Sequence, residues 1–298
     1  MDEARHIYER RRLRRRLGLW RVATVVAVAL AAGAWFWRDA ALGPYVARYT
    51  VAGVIFDDPA RDAMFREIAE DDDVEALILR IDSPGGSVPG SEALYQAVRT
   101  VAARKPVAAV MGEVAASGGY IAALSADRII ARGGTITGSI GVLAEYPNVE
   151  ELLDMVGVDV RKIASGPLKA EPSPFHEPDP DAIAYAETLI ADSYEWFVGL
   201  VADRRALDIE RARALGDGRV FTGRMALEEG LIDAIGGEAE ARAWLTETRG
   251  VPSDAPVRDV EPYREDDGLL GLVAGGGANF FALIERWRAG PRLMAILR

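Results

Sequence analysis

The sequence predicts an α/β domain with a mainly parallel sheet, preceded by an N-terminal transmembrane helix. Three observations carry this reading. Short apolar runs alternate with amphipathic stretches, the pattern of strands and crossover helices. Three glycine-bearing loops each follow a predicted buried strand. A charge-free stretch of 16 residues, Val22–Trp37, follows an arginine-rich arm.

That arm is basic: residues 1–21 hold eight arginines against Asp2, Glu3 and Glu9. Counting back through Leu17, Gly18, Leu19 and Trp20 brings the apolar stretch near the ~20 residues that a bilayer requires. Trp20, Trp35 and Trp37 lie near its ends, where indole rings favour the interface. The arginine block then sets the N-terminus in the cytoplasm and the body across the membrane. The expected division is a basic cytoplasmic arm at 1–16, an anchor at 17–38, a folded body at 47–248, a linker at 249–267 and an apolar tail at 268–298. A cleaved signal peptide is the alternative, with Ala29-Leu30-Ala31 or Ala32-Gly33-Ala34 as cleavage site. The aromatic, basic exit Trp35-Phe36-Trp37-Arg38 favours a retained anchor.

Within the body, Ala47–Phe56 reads as a strand and Asp58–Glu70 as a helix. Glu75–Ile81 is a short apolar strand that ends at the breaker cluster Asp82-Ser83-Pro84-Gly85-Gly86. Leu94, Ala97, Val98 and Val101 recur at helical spacing and predict a helix over Pro89–Ala103. Strands follow at Pro106–Met111, Asp127–Ala131 and Asp159–Ile163. Helices are expected from Ala115–Tyr120 to about Ser125, at Val149–Val156, over Asp179–Ala206, and in shorter pieces to Thr246.

Composition removes several classes of function. The chain has no cysteine, so thiolate metal sites, disulfides and a cysteine nucleophile are excluded. The net charge is −11, and with the arm set aside the rest is more acidic still. Such a body lacks the basic face that nucleic acid requires.

The chemistry is concentrated in the loops after the strands, where ligands gather in open parallel sheets. Gly85-Gly86 allows close backbone approach and suits an oxyanion hole, although a plain strand-to-helix turn reads the same way. Ser117, in Ala115-Ala116-Ser117-Gly118-Gly119-Tyr120, sits at a strand-to-helix turn among small residues. It can be a presented nucleophile or a helix N-cap. A nucleophile needs a base. His6 precedes the anchor, which leaves His176 for any Ser-His-Asp triad. Lysine is the other choice. Only Lys105, Lys162 and Lys169 occur among 35 basic residues. Lys169 lies directly after a predicted strand, in Ser165-Gly166-Pro167-Leu168-Lys169, among small and apolar neighbours. A free lysine titrates near ~10.4, so a lysine base must be desolvated to be neutral.

Taken together these segments resemble the signal peptide peptidase A (protease IV) family of Ser/Lys membrane proteases. The resemblance rests on Ser83-Pro84-Gly85-Gly86, Ala116–Tyr120, Thr137-Gly138-Ser139-Ile140-Gly141-Val142 and Ser165–Lys169, with 52 residues separating Ser117 from Lys169. Asp217–Arg224 and Gly230-Leu231-Ile232-Asp233 extend the match, which spans about Tyr49 to Gly237. It implies a ClpP/crotonase-like fold and a serine-type peptidase without metal or cofactor. Ser117 and Lys169 would be the catalytic dyad, Gly86 and Gly118 the oxyanion hole, and Ser139 the residue that orients the lysine. Substrates would be residual signal peptides, cleaved at small or apolar residues, at the bacterial inner membrane. The chain corresponds to the family's short form, which implies a homo-oligomer with the dyad shared between subunits. One departure is Ala170, where the family often has an acidic or polar residue. A crotonase-type enzyme acting on acyl-CoA is the rival within the same fold, but it leaves Ser117 and Lys169 unexplained. A membrane scaffold without activity is the third reading.

Overall fold

The computed structural model describes residue 18, residues 20–29 and residues 43–262. The chain divides into two compact units, residues 1–45 and 46–298. In the first, residues 20–29 are helical (α1) and exposed, and the Thr24 hydroxyl donates to the Trp20 carbonyl at 2.9 Å. The expected anchor at 17–38 lies largely outside the described residues, and the tail at 268–298 lies wholly outside them. Among the described residues no helix is long and apolar enough to cross a membrane.

The second unit is built on one sheet, whose strands are β1 (Tyr45–Ile55), β2 (Val74–Gly86), β3 (Val107–Ala116), β4 (Arg128–Ala131), β5 (Ile136–Gly138), β6 (Val220–Thr222), β7 (Ala234–Ile235) and β8 (Val257–Asp259). The main path runs β6-β5-β3-β2-β1-β8, while β4 leaves it to pair with β3 and β7. The β1–β8, β2–β3, β3–β4, β3–β5 and β4–β7 pairs are parallel; β5–β6 is antiparallel. This is the expected α/β architecture with a mainly parallel sheet. The reason lies in β2, where consecutive Leu77, Ile78 and Leu79 are all fully buried. A strand that is apolar on both sides must be covered on both faces, as parallel sheets are.

One face is closed by helix α9 (Glu238–Arg249), whose Ala241 and Leu245 cluster with Ile78, Val110, Ile130, Val251 and Ala255. The opposite face carries α3 (Val88–Ala102) and the short α4 (Gly118–Leu124). Leu94, Val98 and Val101 are the buried stripe of α3, as their spacing predicts. Helix α2 (Pro59–Glu70) starts at the N-cap Asp58, whose carboxylate accepts from Ala60 and Arg61. The long α6 (Pro180–Arg205) buries only Ala182, Phe197, Val198 and Val201. Its C-terminal part docks on the body through Arg204, which donates to the carbonyls of Leu124 and Ala126 at 2.8 Å.

Strand β3 serves two partners in turn. Ala108–Met111 pairs with β4, and Val114–Ala116 pairs with β5. The change of partner coincides with a register shift in the β2–β3 pairing, where Ile81 faces Met111 but Ser83 faces Ala115. Asp82 fills that irregularity, accepting a hydrogen bond from the Val114 amide at 3.1 Å. The Thr135 hydroxyl donates to the Gly112 carbonyl at 2.7 Å from the other side. The end of β3 is thereby steered away from β4, and it delivers Ser117.

Three expectations change. The breaker cluster does not end β2, which continues to Gly86. Ser83 supports the extension: its hydroxyl donates to the Gly53 carbonyl at 2.6 Å and accepts from the Gly85 amide at 3.1 Å. The stretch at 249–267 is not a plain linker, because β8 pairs with β1 and Val251 and Ala255 are buried. Its arrival is fixed by Arg48, which binds Asp259 at 2.6 Å and Glu238 at 2.9 Å. Asp159–Ile163 is not a strand; Val158, Val160 and Ile163 are exposed, Ile163 entirely. An extended run needs a neighbouring strand for its backbone groups, and among the described residues none borders it.

Tyr120 ties the start of α4 to the segment just before β7. Its ring is fully buried and its hydroxyl donates to the Leu231 carbonyl at 2.8 Å. Burial pushes the phenol well above its ordinary range. Tyr120→Phe leaves that carbonyl unpaired and should cost about 1–2 kcal/mol. Thermal melts should show a fall of a few degrees; an unchanged midpoint would mean that the carbonyl finds another donor.

Candidate active site

Three chain segments converge on Ser117. The residue follows the last residue of β3 and precedes α4, with φ 53° and ψ −119°. Few L-residues adopt this conformation, which costs on the order of 1–3 kcal/mol. The surroundings enforce it: the Ser117 amide donates to the Gly138 carbonyl at 2.8 Å, and its own carbonyl accepts from Tyr120 and Ile121 at 2.9 and 3.0 Å. Ser117 occupies the N-cap position, yet its side chain makes no capping hydrogen bond. The cap alternative raised by the sequence therefore fails, and the hydroxyl is left for another use.

The first glycine loop lies against it. A Cβ on Gly85, which has φ +117°, would stand 2.9 Å from the Ser117 Cβ and 3.1 Å from its Oγ. A Cβ on Gly86 would stand 1.9 Å from the Ile55 carbonyl oxygen. A Cβ on Gly118 would fall 2.2 Å from Ser91 Oγ and 3.1 Å from the Gly86 nitrogen, and one on Gly119 would lie 2.6 Å from the Ser83 carbonyl oxygen. The two loops thus meet backbone to backbone, and that contact requires glycine.

Beside them opens a pocket. Gly86, Ser91, Ser117 and Gly118 form one wall. Val88, Ile121 and Val142 line the apolar part, which Trp196 and Phe197 of α6 complete. Sequence reading missed Ser91, Ser193, Trp196 and Phe197. The last three sit at i, i+3 and i+4 on the predicted helix, a spacing that defines one face.

The third loop reaches the same edge through β5. Gly138 and Ser139 both have positive φ, +78° and 51°, and the Ser139 amide donates to the Arg219 carbonyl at 2.9 Å. The Ser139 hydroxyl makes no hydrogen bond among the described residues, and Ser139 is not part of the pocket wall.

Lys169 stands apart. It lies in an exposed turn closed by its own amide to the Gly166 carbonyl at 3.2 Å. Its ammonium has no hydrogen bond or ion pair among the described residues, and it does not line the Ser117 pocket. Glu171, two residues on, is held firmly. Its side chain is only 5% exposed, it accepts a hydrogen bond from Lys162, and it faces His176 Nε2 at 3.2 Å. The Lys162 hydrogen bond, helped by His176, holds the Glu171 carboxyl below the usual carboxylate range. His176 is therefore engaged with Glu171 and is not part of the Ser117 wall, so the triad alternative gains nothing from the geometry.

A parallel α/β sheet that presents an uncapped serine on strained backbone, beside paired glycine loops and an apolar pocket, has the parts of a serine hydrolase. The chain matches the Peptidase family S49 over residues 99–252. It is 40% identical over 242 residues to a putative protease of Synechocystis sp., covering 80% of this chain and 86% of that protein. It is 31% identical over 243 residues to the putative signal peptide peptidase SppA of Enterococcus faecium, covering 77% and 70%. Among solved structures, a membrane-bound stomatin-specific protease (1510-N, S97A mutant) aligns over 74% of this chain and 99% of its own, with TM-score 0.50 and 18% identity. The chain belongs to peptidase family S49, the signal peptide peptidase A family, and is a serine-type peptidase.

The Gly118 contact can be tested directly. Gly118→Ala should cost about 1–3 kcal/mol by overpacking. Adding Ser91→Gly should return part of that loss, because it removes the atom that the new methyl meets. A double-mutant cycle of thermal melts reads the coupling. Strict additivity would show that the loops relax around the methyl.

Proposed function

We propose that the protein is a membrane-anchored endopeptidase in which Ser117 is the nucleophile and Lys169 the general base, the two contributed by different copies of the chain. The observation that carries this is the state of Ser117: a strained backbone, an uncapped hydroxyl and a pocket beside Gly86 and Gly118. In the reaction, neutral Lys169 Nζ takes the Ser117 proton as Oγ attacks the scissile carbonyl carbon. The Gly86 and Gly118 amides donate to the oxyanion that forms. Collapse releases the new amine, which takes its proton from Lys169. Water, deprotonated by the same amine, then hydrolyses the acyl-enzyme. Ser139 holds the lysine in line.

The shared arrangement is supported by what one chain lacks. Lys169 is exposed and has no partner among the described residues, whereas a lysine base must lose its water. In the chain segment that leads to it, Val156, Val158, Val160, Ile163 and Leu168 are exposed as well. A second copy packed there would cover this apolar surface and desolvate the amine together. Closed cyclic symmetry gives each serine one such neighbour. The anchoring rests on the arginine block and the charge-free stretch, which put the body outside the cytoplasm. Residual signal peptides left in the membrane suit an anchored enzyme with an apolar pocket, and the SppA likeness supports that substrate class.

Ser117→Ala and Lys169→Ala should each reduce peptidase activity to a small residue without unfolding the body. Ser139→Ala should slow turnover without ending it. Co-assembling the Ser117→Ala and Lys169→Ala chains decides the rest. A shared dyad restores part of the wild-type rate, because some interfaces regain both groups. Mixed oligomers that form but stay inactive would place the dyad within one chain.

A further inference from the structure

Ser91 is a polar residue of the pocket wall that the dyad does not use. It lies one turn into α3, directly after the first glycine loop, and is 1% exposed. Its hydroxyl has no hydrogen-bond partner among the described residues. A helical serine can satisfy itself on the carbonyl four residues back. Here the Ser87 carbonyl accepts the Ser91 amide at 3.0 Å, and the hydroxyl stays unpaired. A buried hydroxyl without a partner costs on the order of 1–3 kcal/mol, and alanine would fill the same space without that cost. Buried polar groups are nearly always paired, so an orphan in a pocket wall points to a ligand atom.

Its position says which atom. The point where a Gly118 side chain would begin is 2.2 Å from Ser91 Oγ and 3.1 Å from the Gly86 nitrogen. The hydroxyl and the Gly86 amide therefore flank one spot at the Gly118 backbone, next to Ser117, in a single pocket. We propose that the Ser91 hydroxyl is a third donor to the scissile carbonyl oxygen, acting with the Gly86 and Gly118 amides as negative charge develops. This rests on Ser117 being the nucleophile. A hydroxyl can turn its proton towards the oxyanion once substrate enters, whereas backbone amides are fixed. Such a donor is worth most in the transition state, so its loss should appear in kcat and leave KM in place.

The test uses the full chain in detergent and a fluorogenic peptide, with Ser117→Ala as the zero. Ser91→Ala should lower kcat about 10- to 100-fold, somewhat less than the loss of a sole oxyanion donor, with KM unchanged within twofold. Its melting temperature should equal or exceed that of the wild type, because an unpaired buried group is removed. Ser91→Thr and Ser91→Val share a shape and differ in the hydroxyl; threonine should keep most of the rate and valine lose it. Labelling by a fluorophosphonate, whose phosphoryl oxygen needs the same donors, should follow the same order. Equal rates for the threonine and valine variants, or a wild-type kcat for Ser91→Ala, would overturn the proposal. So would a rate loss in Ser91→Ala that tracks a lowered melting temperature and a raised KM. Full activity in Ser117→Ala would instead remove the nucleophile assignment.

Discussion

The rest of the structure is arranged around the backbone contact between the first two glycine loops. Gly86 and Gly119 abut carbonyl oxygens of Ile55 and Ser83, and Gly118 abuts Ser91 and Gly86. Backbone cannot retreat from a new Cβ as a flexible side chain can, so these positions set how closely β1, β2 and β3 end together. That closeness forces the next residue into line. Ser117 must carry its chain from the Gly138 carbonyl into α4 within one residue, and only a positive φ achieves the turn. The strain is compensated by its surroundings: the fully buried α4 and the Tyr120 hydrogen bond hold the far side of the turn.

A second layer explains why the edge is available at all. Strand β3 pairs first with β4 and then with β5, and its end emerges beside the third glycine loop. The Asp82 carboxylate and the Thr135 hydroxyl satisfy the backbone groups released where β3 changes partner. An aspartate in a sheet is usually unfavourable, but here it replaces a missing ladder bond. Its place directly after an apolar run gave it the appearance of a strand terminator.

What could be read from the residues follows from how local each signal is. Leu77–Leu79 reveals itself as a continuous apolar run and the Leu94, Val98, Val101 stripe by its period, and the architecture follows from them. The glycine loops were legible only as an ordered set, because each alone reads equally well as a plain strand-to-helix turn. Strands β5, β6, β7 and β8 have two or three residues each, too short for a periodic signal, and exist only through their partners. The opposite error occurred at Asp159–Ile163, where the pattern is that of a strand but the chain supplies no neighbour. At the site, Ser117 and Gly118 were visible in one motif. Ser91 was hidden, because a serine in an amphipathic helix gives no hint that its hydroxyl will be buried without a partner.

The two halves of the proposed machinery differ in how they are stabilised. The serine half is built from the best-buried part of the domain, with glycine contacts, sheet pairing and α4 all acting on one residue. The lysine half sits on a segment with little regular structure and many exposed apolar side chains, tied mainly through Glu171 to Lys162 and His176. That tie shapes the turn but leaves the Lys169 amine exposed and away from the Ser117 pocket. On the proposed reading, a single chain holds its serine half in place while its lysine half stays exposed. On the shared-dyad reading, packing of a second copy performs two tasks with one surface: it covers Val160, Ile163 and their neighbours, and it strips water from the amine. The gain from apolar burial offsets the cost of desolvating the lysine. On that reading, assembly and hydrolysis are coupled.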